Sequence, residues 1–552
     1  MGDRPESDSQ RVVNVSRFLR RMALSQPELT ALKVPRERTA AGEIDYLSLS
    51  SAQLEKEQDE WAKRFRAQGI ESGSRVLLMV RPGLPLIAIC FALFKIGAVP
   101  VVIDPGMGLS SFLKCVRRSK PEFLVGISPA IWASRIFFGS FRSLKAKVKV
   151  GGPLECISNA NTVAMDSAPS RASDLAAILF TSGSTGAPKG VCYEHGMFEA
   201  QVFAIKERYE IEPGEVDLPM LPVFALFNPA MGMTTVVPEI NPSKPATVDP
   251  AKIVQAIQQC EVTNSFGSPA LWKKIGIYCE QKRIQLPSLR RILMAGAPVP
   301  PQVMAQFRKI LPYGKTHSPY GATEVLPVSS VVDDQILGGL AERTERGEGT
   351  CVGKPLDGVE VRILPIEEGD MSVEDLGRKM DDGEIGEIVA TGPSVTKSYD
   401  ALPEATRLAK ILEGDRVWHR MGDLGYFDKE GLLWFCGRKA ERVISESGVF
   451  YSDCCEGVFN THPDVFRSAL IKVGGKPAIA IEPMPDKYPK TEYDSDRFVE
   501  VLRELGASSE VTSGIESFYF KRSFPVDVRH NAKIHRLTLS EEFDKLYRRK
   551  YQ

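Results

Sequence analysis

A short segment rich in glycine and hydroxyl side chains follows an apolar run, and it restricts the folds open to the chain. Residues 175–180 read LAAILF, which is typical of a buried strand. Glycines let backbone N–H groups approach an anion, hydroxyl groups add donors, and a lysine adds a compact positive charge. A flexible Ser/Gly linker is the alternative, but such linkers rarely follow an apolar strand directly. The pattern therefore predicts a phosphate-binding loop after a strand, with Thr181, Ser182, Gly183, Ser184, Thr185, Gly186 and Lys189 as candidate ligands.

The spacing of this segment differs from that of a Walker A loop. A Walker A loop places Gly-Lys-Ser/Thr after four intervening residues, whereas here Pro188 precedes the lysine and Gly190 follows it. The pattern therefore disfavours a P-loop ATPase and a kinase.

The N-terminal part of the chain alternates short aliphatic runs with helical patterns. Strands are expected over 75–80 and 99–103, with a buried helix over 86–95 between them. A further helix is expected over 47–68 and another over 195–209. Charged residues, prolines and a glycine interrupt the apolar stretch 76–104, so it is not a membrane span. The alternation favours an α/β class with parallel-rich sheets.

Composition excludes several classes of protein. Lys plus Arg and Asp plus Glu both number 70 in 552 residues, so no overall charge favours nucleic acid or an anionic membrane. The ten cysteines form no C-x-x-C pair, which disfavours a zinc site or a disulfide scaffold. The first ten residues lack the apolar region of a signal peptide. These features predict a cytoplasmic protein without a transmembrane segment.

A second motif lies at 319–324, which reads PYGATE. Its chemistry suits a nucleotide: Tyr320 can stack on a purine, Thr323 can donate to the α-phosphate, and Glu324 can bind Mg²⁺, which prefers oxygen ligands. Gly321 separates the aromatic residue from these polar groups.

These two motifs, followed by Gly422-Asp423 and by Arg438, resemble the signatures of the adenylate-forming superfamily, which includes acyl-CoA synthetases and luciferases. The resemblance implies a large N-terminal α/β domain over 13–437 that binds ATP and the acyl group, after a flexible tail over 1–12. It also implies a small mobile α/β domain over 438–552. The expected cofactors are ATP and Mg²⁺.

The resemblance also assigns further roles. It places Gly296, Ala297 and Pro298 along the adenine, Asp423 on the ribose hydroxyls, and Arg438 on the ribose or phosphate. Lys533 would reach the substrate carboxylate and the α-phosphate, so the expected catalytic residues are Lys189, Thr323, Glu324 and Lys533. Phe224, Ala225 and Phe227 would form an acyl pocket, with plain core packing as the alternative. The chain departs from the pattern at Ala440, where the hinge residue is usually Asp or Lys, and by lacking a glycine before Lys533.

Strings such as VFALF at 223–227 and RHNAK at 529–533 are similar to the β-lactone synthetase family of bacterial olefin biosynthesis. That similarity implies activation of a 2-alkyl-3-hydroxyalkanoic acid as an acyl adenylate. The 3-hydroxyl would then close a β-lactone and release AMP. It also implies association with other olefin-pathway enzymes. A long-chain acyl-CoA or acyl-carrier ligase is the alternative, since it shares every superfamily motif. The candidate general bases are His195, His317 and His530, and each also suits a structural role.

Overall fold

A computed structural model describes residues 11–159, 161–181, 188–241, 247–527 and 533–551. It has a large mixed sheet, a second parallel-rich sheet and a smaller C-terminal domain, with helices packed against the sheets. The predicted α/β class is confirmed. The division at 437/438 remains a prediction.

The parallel-rich sheet carries the strand that precedes the phosphate-loop segment. Its strand order is β6-β5-β3-β4-β7-β8, and every neighbouring pair is parallel except β7 and β8. The strands are β3 (Arg75–Met79), β4 (Val99–Val102), β5 (Phe123–Gly126), β6 (Ala146–Lys149), β7 (Leu175–Thr181) and β8 (Lys189–Glu194).

The large sheet supplies most of the other candidate residues. Its order is β16-β17-β19-β20-β15-β14-β13-β12-β11-β9-β10-β1-β2, and β18 pairs with β19. The strands are β1 (Thr30–Arg38), β2 (Ile44–Ser50), β9 (Val216–Pro219), β10 (Thr234–Val236), β11 (Asn264–Gly267), β12 (Arg291–Met294), β13 (Lys315–Ala322), β14 (Val325–Val332), β15 (Thr350–Pro355), β16 (Glu360–Leu364), β17 (Gly386–Thr391), β18 (Lys410–Glu413), β19 (Arg416–Phe427) and β20 (Leu433–Arg438).

The smaller C-terminal domain is built on a three-stranded sheet and a two-stranded sheet. The strands are β21 (Val443–Ser445), β22 (Gly448–Phe450), β23 (Val465–Val473), β24 (Lys476–Pro483) and β25 (Ser517–Phe520). β21 pairs with β22, and β24 lies between β23 and β25.

The α-helices are α1 (Arg17–Ser25), α2 (Ser51–Ala67), α3 (Leu84–Lys95), α4 (Leu109–Ser119), α5 (Ser128–Ile136), α6 (His195–Arg208), α7 (Asn228–Met231), α8 (Pro250–Gln259), α9 (Pro269–Lys282), α10 (Pro301–Ile310), α11 (Asp333–Gln335), α12 (Ala341–Glu345), α13 (Pro403–Ala409), α14 (Ser452–Phe459), α15 (Glu492–Ala507) and α16 (Arg536–Tyr551).

Helix α3 forms as expected, between β3 and β4, because its residues are apolar almost without interruption and nearly all are buried. Gly83 precedes it with a φ of +149°, and a Cβ there would lie 2.5 Å from the carbonyl oxygen of Pro153. Glycine therefore permits both the backbone conformation and the close approach that start this helix.

The helix predicted over 47–68 is wrong at its start. Residues 44–50 form β2, which pairs antiparallel with β1, and α2 begins only at Ser51. Ser50 and Gln53 form a capping box, in which each side chain accepts a hydrogen bond from the backbone N–H of the other residue. The cap fixes the change from strand to helix, which apolar spacing alone did not reveal.

No α-helix within the described ranges is long and apolar enough to cross a bilayer.

The last residue of α3, Lys95, is a buried cation. The Lys95 ammonium is fully buried, lies 2.7 Å from Glu55 Oε1 and contacts Asp59. Lys95→Met would leave two carboxylates buried without their counter-charge, so we expect a loss of about 3–5 kcal/mol in the free energy of unfolding. Urea or thermal denaturation would measure it, with Lys56→Met, at an exposed position of α2, as the matched control. An unchanged midpoint would contradict the structural role of Lys95.

Candidate active site

The two ends of the phosphate-loop segment lie on adjacent antiparallel strands. Thr181 ends β7 and Lys189 begins β8, and these two residues are register partners. The candidates Ser182, Gly183, Ser184, Thr185 and Gly186 lie outside the described residues. The Lys189 ammonium lies 4.8 Å from the centre of the Tyr399 ring, in the geometry of a cation–π contact.

Thr323 and Glu324 form the turn between β13 and β14. The Glu324 carboxylate accepts a hydrogen bond of 2.7 Å from the Tyr399 hydroxyl, and the Thr323 carbonyl accepts one from Tyr193. Burial and the Glu324 charge raise the pKa of Tyr399, so its hydroxyl remains a neutral donor. Tyr399 thus connects Lys189 with Glu324.

Tyr320, Asp423 and Arg438 meet across β13, β19 and β20. The Tyr320 hydroxyl donates to Asp423 Oδ2 at 2.7 Å, and Arg438 Nη1 lies 2.9 Å from Asp423 Oδ1. Asp423 is 5% exposed, and burial raises the pKa of its carboxyl against the opposing effects of Arg438, Tyr320 and Lys533. Within the described ranges Oδ1 accepts no well-aligned hydrogen bond. It can therefore accept hydrogen bonds from ligand hydroxyls such as those of a ribose.

Lys533 is exposed and comes from the C-terminal domain, yet it is close enough to Asp423 to lower the pKa of that carboxyl. Its strand-like segment is held by the backbone hydrogen bond from Asp527 N–H to the Lys533 carbonyl, at 2.9 Å. Three residues later, Arg536 makes two 2.6 Å hydrogen bonds to the Glu456 carboxylate and one of 3.0 Å to Glu441.

The turn over 295–298 follows β12, at the end of a strand inside the large sheet. Gly296 has a φ of +98°, which favours glycine, while Ala297 is half-buried and Pro298 is exposed. This position, beyond the carboxyl end of a parallel strand, is where α/β sheets commonly bind ligands.

An apolar cavity lies beside the β13–β14 hairpin. Phe224 and Phe227 line it, and Phe224 stacks on Phe266 with ring centres 3.8 Å apart. Ala225 is buried and does not line the cavity. The remaining lining residues include Tyr209, Met231, Leu293, Pro319, Leu326 and Pro327. A second cleft, between the large and the C-terminal domains, contains none of the predicted site residues.

The histidine candidates differ in their surroundings. His195 is 1% exposed, and its Nδ1 accepts the Val15 N–H at 3.3 Å, which is a structural role. His317 packs edge-on against Tyr209, and its Nδ1 has no hydrogen bond to any described residue. Burial lowers the pKa of each to about 4, far from that of an efficient base at neutral pH. His530 lies outside the described residues.

Sequence reasoning missed three groups around Glu324. Tyr399 holds its carboxylate, Thr396 donates to its carbonyl oxygen, and the buried Lys410 donates to Thr396 at 3.3 Å. Neither a lone tyrosine nor a lone lysine has a distinctive sequence pattern. The one available signal was the position of Lys410 at the start of an apolar strand.

The family model for AMP-binding enzymes matches residues 20–400. The chain belongs to the AMP-binding enzyme family. Two olefin β-lactone synthetases, from Xanthomonas campestris and Stenotrophomonas maltophilia, are each 40% identical to it. The alignment covers 96% of this chain in both cases, and 97% and 98% of the relatives. The ATP-bound MatB of Rhodopseudomonas palustris has a similar fold, with a TM-score of 0.76 and 20% identity over 97% of this chain and all of that one.

This AMP-binding enzyme is thus an ATP-dependent ligase that forms an acyl adenylate. Solved structures with the family fold bind ATP. The buried Asp423 oxygen and the polar groups around Glu324 are the candidate acceptors and donors for the nucleotide.

Asp423→Asn should weaken ATP binding, because it replaces a charged acceptor and leaves Arg438 without its counter-charge. We expect the dissociation constant for ATP to rise about tenfold or more, since hydrogen bonds to charged groups contribute about 1.5–3 kcal/mol. Isothermal titration calorimetry would measure it. Asp415→Asn, at the exposed turn before β19, is the matched control. Unchanged affinity in a folded Asp423→Asn protein would contradict the assignment.

Proposed function

We propose that this enzyme activates a 2-alkyl-3-hydroxyalkanoic acid with ATP and closes it to a β-lactone, releasing pyrophosphate and AMP. The observation that carries this proposal is the 40% identity to olefin β-lactone synthetases over 96% of the chain. Adenylation follows from the family, and the lactone step is the new part of the proposal.

In the first half-reaction, a substrate carboxylate oxygen bonds to the α-phosphorus and the bond to the pyrophosphate oxygen breaks. Negative charge gathers on the non-bridging oxygens, where Thr323 and Lys533 would donate hydrogen bonds. Lys189 would attract the departing pyrophosphate. Asp423 and Arg438 would hold the ribose, which fixes the position of the α-phosphate relative to the acyl group.

Glu324 fits Mg²⁺, because this ion commonly binds one or two carboxylates together with phosphate oxygens and water. Tyr399 orients that carboxylate through its 2.7 Å hydrogen bond. When bound, Mg²⁺ neutralises phosphate charge. Because no group of three or more clustered His, Cys, Asp or Glu side chains occurs among the described residues, we infer an ion shared with the nucleotide.

In the second half-reaction, the 3-hydroxyl oxygen bonds to the acyl carbon and the bond from that carbon to the AMP oxygen breaks. The hydroxyl proton leaves to solvent or phosphate, and AMP departs as the anion. The nucleophile is tethered to the second carbon from the carbonyl carbon, so proximity offsets part of the strain of the four-membered ring. CoA has no role in this step.

The apolar cavity beside the hairpin would hold an alkyl chain of the substrate. Phe224, Phe227 and Phe266 give it aromatic walls, and Pro319 and Leu326 connect it to the residues around Glu324. An alkyl chain there would place its carboxyl end toward the turn between β13 and β14.

Ala440 also agrees with a lactone-forming enzyme. It is exposed in the short turn after β20, where thioester-forming relatives carry the hinge residue of their domain rotation. An internal nucleophile removes the need to admit a separate thiol. The enzymes that supply the 3-hydroxy acid and consume the lactone in olefin formation are the proposed partners.

A 3-hydroxy acid should yield AMP and lactone without CoA, whereas its 3-deoxy analogue should stop at the bound adenylate, because it lacks the internal nucleophile. Mass spectrometry of products, with and without CoA, would measure this. Multiple turnovers of the deoxy acid that depend on CoA would overturn the lactone proposal and favour the acyl-CoA ligase.

Lys533→Ala should reduce adenylation at least about a hundredfold, since one donor to transition-state charge contributes about 2.7–4 kcal/mol. Ring closure from a synthetic acyl adenylate should change much less, because Lys533 serves only the first step in this scheme. Quenched-flow assays of each half-reaction would separate the two effects. Lys521→Ala is the control, since Lys521 lies on the same domain and pairs with Glu542. Equal losses in both half-reactions would contradict this division.

A further inference from the structure

Lys410 is a buried lysine that forms no ion pair with any residue the structure describes. It begins β18, is 5% exposed, and its ammonium makes one hydrogen bond, of 3.3 Å, to Thr396 Oγ1. No carboxylate lies within ion-pair distance of it in the part of the chain that the structure describes. Lys95, which is fully buried, instead contacts two carboxylates. Burying an uncompensated charge is costly, so its presence calls for an explanation.

The surroundings of Lys410 lead directly to the adenylation site. Thr396, which accepts from Lys410, donates both its backbone N–H and its hydroxyl to the carbonyl oxygen of Glu324, at 2.9 and 3.1 Å. Thr396 is fully buried, so this chain of hydrogen bonds is shielded from water. Lys410 therefore supports the main chain of Glu324 through Thr396, while Tyr399 donates a hydrogen bond to the Glu324 carboxylate.

The elements packed around Lys410 contribute three titratable side chains. Glu324 on the hairpin attracts it, Lys189 on β8 repels it, and His419 is its register partner on β19. Burial lowers the pKa of Lys410 to about 7 and holds the pKa of His419 well below its usual value. His419 Nδ1 lies 3.1 Å from the Ala409 carbonyl oxygen. The groups around Lys410 thus include more basic side chains than acidic ones. A bound anion would add the negative charge that these side chains lack.

We propose that Lys410 is a positioning residue for adenylation: it holds Thr396 and Glu324 in place and directs a buried positive charge toward the polyphosphate of ATP. The charge acts through a low-dielectric interior, where it is weakly screened. The polyanion supplies the counter-charge that the protein itself does not. The proposal needs only ATP-dependent adenylation and is independent of lactone formation.

A residue kept for function at the expense of stability gives a distinctive pattern when it is replaced. Lys410→Met should raise the melting temperature, because it removes an unpaired buried cation, and should weaken binding of MgATP about tenfold. The gain in melting temperature should be largest at or below about pH 7 and shrink toward pH 10, because the folded protein resists protonation of Lys410 only below the unfolded pKa. Lys410→Arg should retain most of the MgATP affinity.

Differential scanning calorimetry and calorimetric titration with MgATP would test this on the full chain. Lys95→Met is the matched buried control and should lower the melting temperature, and exposed Lys397→Met should leave both quantities unchanged. Unchanged MgATP affinity in Lys410→Met would overturn the proposal, as would a lower melting temperature accompanied by weaker binding that Lys410→Arg does not restore.

A double-mutant cycle tests the route through Thr396. If Lys410 acts through that hydroxyl, Lys410→Met combined with Thr396→Val should weaken MgATP binding no more than the more damaging single change. Pyrophosphate exchange in the same variants reports whether the loss lies in ATP affinity or in the rate of adenylation. Fully additive losses would overturn the route through Thr396.

Discussion

Two hydrogen bonds from tyrosine hydroxyls to carboxylates hold the site together. Tyr320 donates to Asp423, 103 residues further along the chain, and Tyr399 donates to Glu324, 75 residues before it. Each bond satisfies a carboxylate that is poorly hydrated, and each joins segments that are distant in sequence. Because a tyrosine hydroxyl adds no charge, neither hydrogen bond neutralises the carboxylate that accepts it. The candidate site depends on this arrangement.

The β13–β14 hairpin separates two environments. Tyr320 and Glu324 face polar partners, whereas Pro319 and Leu326, beside them in sequence, line the apolar cavity. A carboxylic acid with a long alkyl chain has the same division between a charged end and an apolar body. The hairpin can therefore position both ends of such a substrate with one short element, and the reacting carboxyl group would lie at the boundary.

The sequence predicted the fold class and the residues with a distinctive local pattern. Tyr320, Asp423 and Arg438 were expected to share a site, and the structure brings them into contact. It could not predict Lys410, because that residue acquires its role only when β18 pairs with β19 and sets it opposite His419. Ala225 was predicted beside Phe224 and Phe227, but the short helical turn over 222–226 directs it into the core. Register and side-chain direction are properties of long-range packing, which local patterns report poorly.

Arg536, the first residue of α16, joins that helix to α14 and to the turn after β20. Its guanidinium bonds to Glu456 on α14 and to Glu441 just after β20, and Lys533 lies three residues before it. The Glu456 carboxylate also accepts the Leu470 N–H, so α14, β23 and the segment that carries Lys533 share one charged anchor. Lys533 thus lies close in sequence to this anchor. If the C-terminal domain rotated about the turn near Glu441, Lys533 would move away from Asp423 together with the whole segment. The direction of that movement would depend on the anchor and not on the flexibility of the lysine side chain.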